Sequence, residues 1–209
     1  MNKIGSSLDT TELSKARVVK VPDYVVIPSV LSKKECVGVS NFAKSKGKYT
    51  PGLIGTDDSN VQKQQGIRDT ELWWFYHHKL DEKISDVLYQ QNKKHWKYRI
   101  NETEFFQYGE YNIGGHYSWH RDAEPSNVSK LRKLSFSIVL NDRDSFEGGK
   151  FQMLSKLDRE GKPVIRTMTS LNKVGSILIF PSTTTHRVTP VTKGTRRSLV
   201  GWVWGPQLA

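Results

Sequence analysis

The spacing of hydrophobic and polar positions changes character near residue 100 of this chain. Ahead of that point lie two segments of helical periodicity. The run YVVIPSVLS, residues 24 to 32, sets β-branched residues before a proline and predicts a short strand leading into a turn. Ser32 and Glu35 then have the spacing of a capping box. They open a helix through KKECVGVSNFAKSKG, with Gly47 placed to end it. In DEKISDVLYQQNKKHW, Ile84, Val87 and Leu88 share one helical face, with acids early and bases late as the helix dipole favours, so a second helix is expected. Between the two helices, residues 50 to 68 are rich in Gly, Asp, Ser and Gln. Long loops inside compact domains are commonly functional, and this one is expected to shape a substrate entrance.

Beyond residue 100 the chain reads as short strands separated by Gly, Pro, Asn and Asp: TEFFQYGEY, KLSFSIVLN, GGKFQML, PVIRTMTS, GSILIFPS, HRVTPV and TRRSLVGWVWG. Such regular short runs predict an antiparallel sandwich or jelly roll with the two helices packed on it. No internal repeat and no low-complexity tract interrupts the pattern. Residues 1 to 20 mix Ser, Lys, Asp and Thr and are expected to be an N-terminal extension, with residues 21 to 209 forming one domain.

Composition adds three constraints. A hydrophobic share of 36% with 11% aromatics is that of a globular chain. A net charge of +11 would attract nucleic acid, acidic membrane or acidic peptide, but the basic residues are scattered, so charge names no partner. The single cysteine, Cys36, excludes an internal disulfide and fits a reducing compartment. No apolar run approaches the about 18 to 20 residues of a membrane span, so a cytoplasmic protein is expected.

The chemistry concentrates in GGHYSWHRDAE, where His120 and Asp122 stand two apart. Alternation along an extended segment sends both side chains to one side, where they can share an ion. His186, in FPSTTTHRVTPV, supplies a second imidazole. Two imidazoles and one carboxylate are the set that binds Fe(II) on one face and leaves the other positions open. Ten residues after His186 stands Arg196, at the start of the last strand, with Ser198 on the same strand face. Together they suit the far carboxylate of a dicarboxylate co-substrate such as 2-oxoglutarate, while Arg197 points away.

YNIGGHYSWHRD, LNDRDSFEGGKFQML and VGSILIFPSTTTHRVTPVTKGTRRSLVGWVWG resemble the Fe(II)/2-oxoglutarate-dependent dioxygenases, in particular the prolyl 4-hydroxylase-like branch and its bacterial and phage PKHD-type hydroxylases. The resemblance spans roughly residues 22 to 205. It implies an α+β, mainly β fold, a double-stranded β-helix core with N-terminal helices packed on it. His120, Asp122 and His186 resemble the iron ligands, Arg196 the anchor of the 2-oxoglutarate C5 carboxylate, and Tyr111, nine residues before His120, its hydroxyl partner. The implied cofactors are Fe(II), 2-oxoglutarate and O2, with ascorbate as reductant. The implied substrate is a proline-containing peptide, and the implied products are succinate, carbon dioxide and a hydroxylated residue. Collagen-type prolyl hydroxylases usually carry Lys at the anchor, so Arg196 favours the PKHD-like side.

Two rivals use the same residues. An alkylated nucleic acid base could be the substrate, but enzymes of that kind carry a second Arg six residues after the anchor, where this chain has Trp202. A non-catalytic, metal-holding jelly-roll module would leave Arg196 and Ser198 without a purpose. Around the centre, Gly114, Gly115, Gly148 and Gly149 read as turn residues, Ser182 to Thr185 as a structural turn, and Trp202 and Trp204 as packing. Trp119 and Arg121 flank the mouth. His77, His78 and His116 have no ligand spacing.

Overall fold

The computed structural model describes residues 21–51, 66–124 and 128–206, the side chains of Lys156 and Asn172 excepted. The N-terminal extension and most of the loop expected at the substrate entrance lie outside the described residues.

In chain order the elements are β1 (Val25–Ile27), α1 (Lys33–Lys46), β2 (Lys48–Pro51), β3 (Arg68–Asp69), β4 (Glu71–Phe75), α2 (His78–His95), β5 (Phe106–Tyr111), β6 (His116–His120), β7 (Arg132–Val139), β8 (Phe146–Gly148), β9 (Phe151–Leu157), β10 (Pro163–Thr167), β11 (Ile177–Pro181), β12 (His186–Val188), β13 (Val191–Gly194) and β14 (Arg196–Trp204). A seven-stranded sheet runs β1-β11-β7-β14-β5-β4-β2 and a five-stranded sheet β10-β9-β12-β6-β3, with β8 and β13 paired separately. Each of these pairings is antiparallel.

α1 begins as its sequence predicts. The Ser32 hydroxyl accepts from the Glu35 backbone N–H, and the Glu35 carboxylate accepts from the Ser32 backbone N–H at 2.7 Å. Gly47 ends it for a reason of space: a Cβ there would stand 2.5 Å from the Ala43 carbonyl oxygen and 3.1 Å from the Trp73 Cβ. α2 starts three residues before its acidic run, at His78. His77 caps it, Nδ1 accepting from the Leu80 N–H at 3.2 Å. Its buried positions Leu80, Ile84 and Leu88 are four apart, with Val87 beside them. Both helices cover the outer face of the large sheet over Phe106, Phe136, Ile138 and Leu199. A second apolar cluster, which includes Val139, Phe151, Met153, Leu178 and Phe180, fills the space between the sheets.

The sandwich takes in more of the chain than the strand pattern after residue 100 indicates. β2 and β4 extend the large sheet beyond β5, and β3 extends the small one beyond β6. β4 is the run ELWWF, whose Trp73 packs on Tyr108 and whose Phe75 packs on Phe106. Strand β7, central in the large sheet, is buried on both faces, helices on one side and the second sheet on the other. Among the described residues no helix is long and apolar enough to cross a membrane.

Candidate metal and dicarboxylate centre

Three elements converge at one end of the space between the sheets. β6 delivers His120 at its last residue, and β12 delivers His186 directly opposite it in the register. Cross-strand neighbours approach to about 4.5–5.5 Å at Cβ, which is why the two imidazole centroids lie only 4.1 Å apart. Asp122 stands just past the end of β6. There its own N–H and that of Ala123 both donate to the Ser182 carbonyl at 3.0 Å, and Arg132 Nη1 donates to its carbonyl at 3.3 Å. The turn after β11, read in the sequence as structural, thus fixes where the carboxylate points.

The imidazoles are oriented alike. His120 Nδ1 lies 2.8 Å from the Ser118 carbonyl and His186 Nδ1 2.9 Å from the Thr184 carbonyl. A carbonyl can only accept, so each Nδ1 carries a proton and Nε2 is the nitrogen left to a metal, the orientation a metal requires. The two Nε2 atoms face the two oxygens of Asp122, at 3.6 Å from His120 and 3.5 Å from His186. These distances are long for hydrogen bonds and leave room for an ion; one ligand atom from each residue lies within 4.8 Å of the others. Tyr117 stacks on His120 at 3.4 Å and Phe151 on His186 at 5.3 Å, so both rings are clamped.

Protonation suits the same purpose. Burial, opposed by Asp122, lowers His186 to about 4, which keeps it neutral near pH 7. Burial works against ionisation of Asp122, but His186, His120 and the Ser135 hydroxyl outweigh it and hold the carboxyl well below its usual range. A neutral His186 imidazole and an ionised Asp122 carboxylate are therefore ready at neutral pH, without proton loss from either on metal binding. Burial raises the Tyr117 phenol to about 12.

All six residues singled out in the sequence line one small cavity: Tyr111, His120, Asp122, His186, Arg196 and Ser198. Arg196 is 2% exposed, its Nη1 donates to Ser198 Oγ at 3.0 Å, and its guanidinium carbon sits 5.1 Å from the Tyr111 ring centroid. Among the described residues it forms no ion pair. Burial, eased by Tyr111 and reinforced by Arg143, presses its pKa below the ordinary arginine range. A buried, unpaired guanidinium is costly, and carboxylate ligands are what such a fork binds best. Ser137 was not singled out. Its hydroxyl lines the same cavity and, among the described residues, is buried without a partner. The alternation in KLSFSIVLN puts the serines on one face, but polar residues on a strand ordinarily mark the solvent side.

The flanking residues divide as follows. Trp202 packs on Trp74 at 5.9 Å under the Arg132 guanidinium at 3.8 Å, a packing role. Trp119 lies against Arg187, and Arg121 Nε donates to Thr185 Oγ1. His116 bonds backbone at Gly114 and Gly66, away from the triad. Arg197 points away as its alternation requires, yet it is paired: its Nε donates to the buried Glu110, which also holds Lys44.

Residues 105–204 match the 2OG-Fe(II) oxygenase superfamily. Among curated proteins, a PKHD-type hydroxylase of Gloeothece citriformis is 24% identical over 180 residues, covering 85% of this chain and 76% of the relative. One of Idiomarina loihiensis is 30% identical over 159 residues, 76% of this chain and 65% of the relative. One of Synechococcus is 36% identical over 93 residues, and there the match spans only 37% of the relative's length. Among solved structures, a Pseudomonas putida prolyl-4-hydroxylase superposes with a TM-score of 0.67 at 16% identity, over 88% of this chain and 93% of that one. A Trichoplax adhaerens prolyl hydroxylase in complex with a hypoxia inducible factor peptide fragment gives 0.68 at 17% identity, over 88% and 84%.

Proposed function

We propose that this chain, a 2-oxoglutarate-dependent Fe(II) dioxygenase of the prolyl 4-hydroxylase-like kind, hydroxylates a residue within a peptide or protein, with proline the favoured target. One observation carries the reading: a triad of two Nε2 atoms and a carboxylate shares a cavity with a buried guanidinium that, among the described residues, has no carboxylate of its own. Iron with 2-oxoglutarate, when bound, supplies oxygen activation, with O2 consumed and succinate and carbon dioxide released.

The residues divide the remaining work. His120, Asp122 and His186 hold the metal on one face, with ring orientations set by the Ser118 and Thr184 carbonyls. Arg196 receives the far carboxylate of the co-substrate, oriented by Ser198, while Tyr111 and the Ser137 hydroxyl supply polar contacts on the same walls. Phe151, Phe180 and Val188 keep bulk water from the centre. That space is only about 30 Å³, so a co-substrate of roughly ten non-hydrogen atoms enters as surrounding side chains move aside. Ascorbate serves as reductant between turnovers. A hydroxylation is supported by the PKHD-type hydroxylase relatives, and a peptide as substrate by the peptide fragment held in the Trichoplax protein. A nucleic acid base is disfavoured, because Trp202 fills the position where a second arginine would stand and is packed under Arg132.

The test is direct. Protein supplied with Fe(II), 2-oxoglutarate, air and ascorbate is incubated with proline-containing peptides, and mass spectrometry looks for addition of one oxygen. Oxygen gained at proline with one succinate per event supports the reading. Succinate formed equally with and without every peptide, or an oxygen gained only by alkylated oligonucleotides, rejects it.

A further inference from the structure

Arg196 stands in a wall between two spaces. On the triad side the cavity is about 30 Å³, room for one water, but on its other side lies a cavity of about 340 Å³ to which Arg196 also contributes. At about 30 Å³ of liquid volume per water that is space for roughly ten waters, enough for a short dicarboxylate. Two more cations line this space, Arg143 and Lys150, and among the described residues no Asp or Glu does. Arg143 is held in place, with Nη1 donating to the Gly148 carbonyl at 2.8 Å and its guanidinium carbon 4.6 Å from the Phe146 ring. Among the described residues neither Arg143 nor Lys150 forms an ion pair, although Lys33, Lys44, Lys83, Lys162, Lys193, Arg132 and Arg197 all do. Thr167 and Thr169 add hydroxyls at the mouth, while Val139, Met168 and Leu171 make an apolar backing. Three uncompensated cations facing a concave space with apolar walls are complementary to an anion with a short hydrocarbon spine.

We propose that this cavity is a second anion site, specific for a short aliphatic dicarboxylate, and that it works without the metal. The ligand's one carboxylate takes the outward side of Arg196, the other meets Lys150 at the rim, and the methylenes lie on Met168 and Leu171. A consequence follows that rests on the function proposed above. One guanidinium cannot fully serve a carboxylate on both sides, so occupancy behind Arg196 weakens co-substrate binding in front of it, and excess 2-oxoglutarate inhibits its own turnover.

The probe is glutarate, which has the two carboxylates but no keto oxygen for chelating iron. Titrated calorimetrically into metal-free protein, it binds one equivalent. Lys150→Glu, a change at an exposed rim residue, weakens that binding more than tenfold. Tyr111→Phe, on the triad side, changes it less than twofold. In Mn(II)-loaded protein, Lys150→Glu keeps 2-oxoglutarate affinity at the metal within threefold of the parent and removes the second, weaker binding event at high 2-oxoglutarate. Absence of glutarate binding to the metal-free protein, or binding that Tyr111→Phe removes and Lys150→Glu leaves intact, overturns the second site. These outcomes do not depend on any peptide being hydroxylated, so failure of the functional reading and failure of this site are distinguishable.

Discussion

Replacing Arg196 by methionine separates a ligand-binding arginine from a structural one. The side chain is 2% exposed, makes one side-chain hydrogen bond, to Ser198 Oγ at 3.0 Å, and among the described residues has no ion pair. Folding therefore buries a guanidinium whose charge the protein leaves uncompensated, at a cost of several kcal/mol. Methionine fills similar volume without that charge. The loss on the other side is the Ser198 hydrogen bond, worth about 1–2 kcal/mol, and the packing on Tyr111. The metal-free variant is thus expected to be within about 1 kcal/mol of the parent, or more stable. Co-substrate binding should behave oppositely. Loss of a charge-assisted carboxylate fork in a buried site costs about 3–5 kcal/mol, or roughly 10² to 10³·⁵ in Kd. Urea unfolding of both metal-free proteins gives the first quantity, and calorimetry of 2-oxoglutarate into Mn(II)-loaded proteins gives the second. A variant destabilised by more than about 2 kcal/mol that still binds 2-oxoglutarate within threefold of the parent would refute the assignment.

Three further outcomes are expected. Asp122→Ala leaves two imidazoles without the carboxylate that faces both, and metal affinity in a competition assay falls by more than about 100-fold, while circular dichroism is unchanged. Gly149→Ala puts a Cβ at φ +53°, 2.9 Å from Arg196 Cδ and 3.0 Å from Val191 Cγ2, so stability falls by about 1–2 kcal/mol and the 2-oxoglutarate concentration for half-saturation rises. Glu35, held by Lys83 and by the Ser32 N–H and hydroxyl, has its carboxyl lowered from 4.5 to about 2. A folded-state value below the unfolded one stabilises above pH 4.5 and loses that contribution as pH falls towards 2. Glu35→Ala should therefore cost about 0.5–1 kcal/mol at pH 7 and nothing below about pH 2, as followed by thermal unfolding.

The site was more legible in the sequence than the fold around it. His120, Asp122, His186 and Arg196 could be picked out because their residue types have few uses together, and because period-two alternation puts Asp122 on the side of His120 and Ser198 on the side of Arg196. What decides the geometry was not visible: the register that sets His186 opposite His120, and the Ser182 carbonyl that aims Asp122. Ser137 was hidden by the assumption that serine on a strand faces water, which fails on β7 because both of its faces are covered. β4 escaped notice because ELWWF has no turn residues after it and runs into α2 through Tyr76 and a histidine cap, an uncommon N-cap residue. The capping box of α1 was legible to the residue, since both of its hydrogen bonds are local. The cavity behind Arg196 draws on Arg143, Lys150, Thr167 and Leu171 from separate segments, and no local pattern unites them.

The most direct measurement is an anaerobic titration of metal-free protein with Fe(II) and then 2-oxoglutarate, followed by visible absorption. Chelation of iron by the keto acid end gives a weak charge-transfer band. The expected result is a band in the parent, none in His186→Ala, and a need for far more 2-oxoglutarate in Arg196→Met. Iron binding by the parent with no band at any 2-oxoglutarate concentration would contradict the co-substrate assignment and leave a metal-holding module without this chemistry.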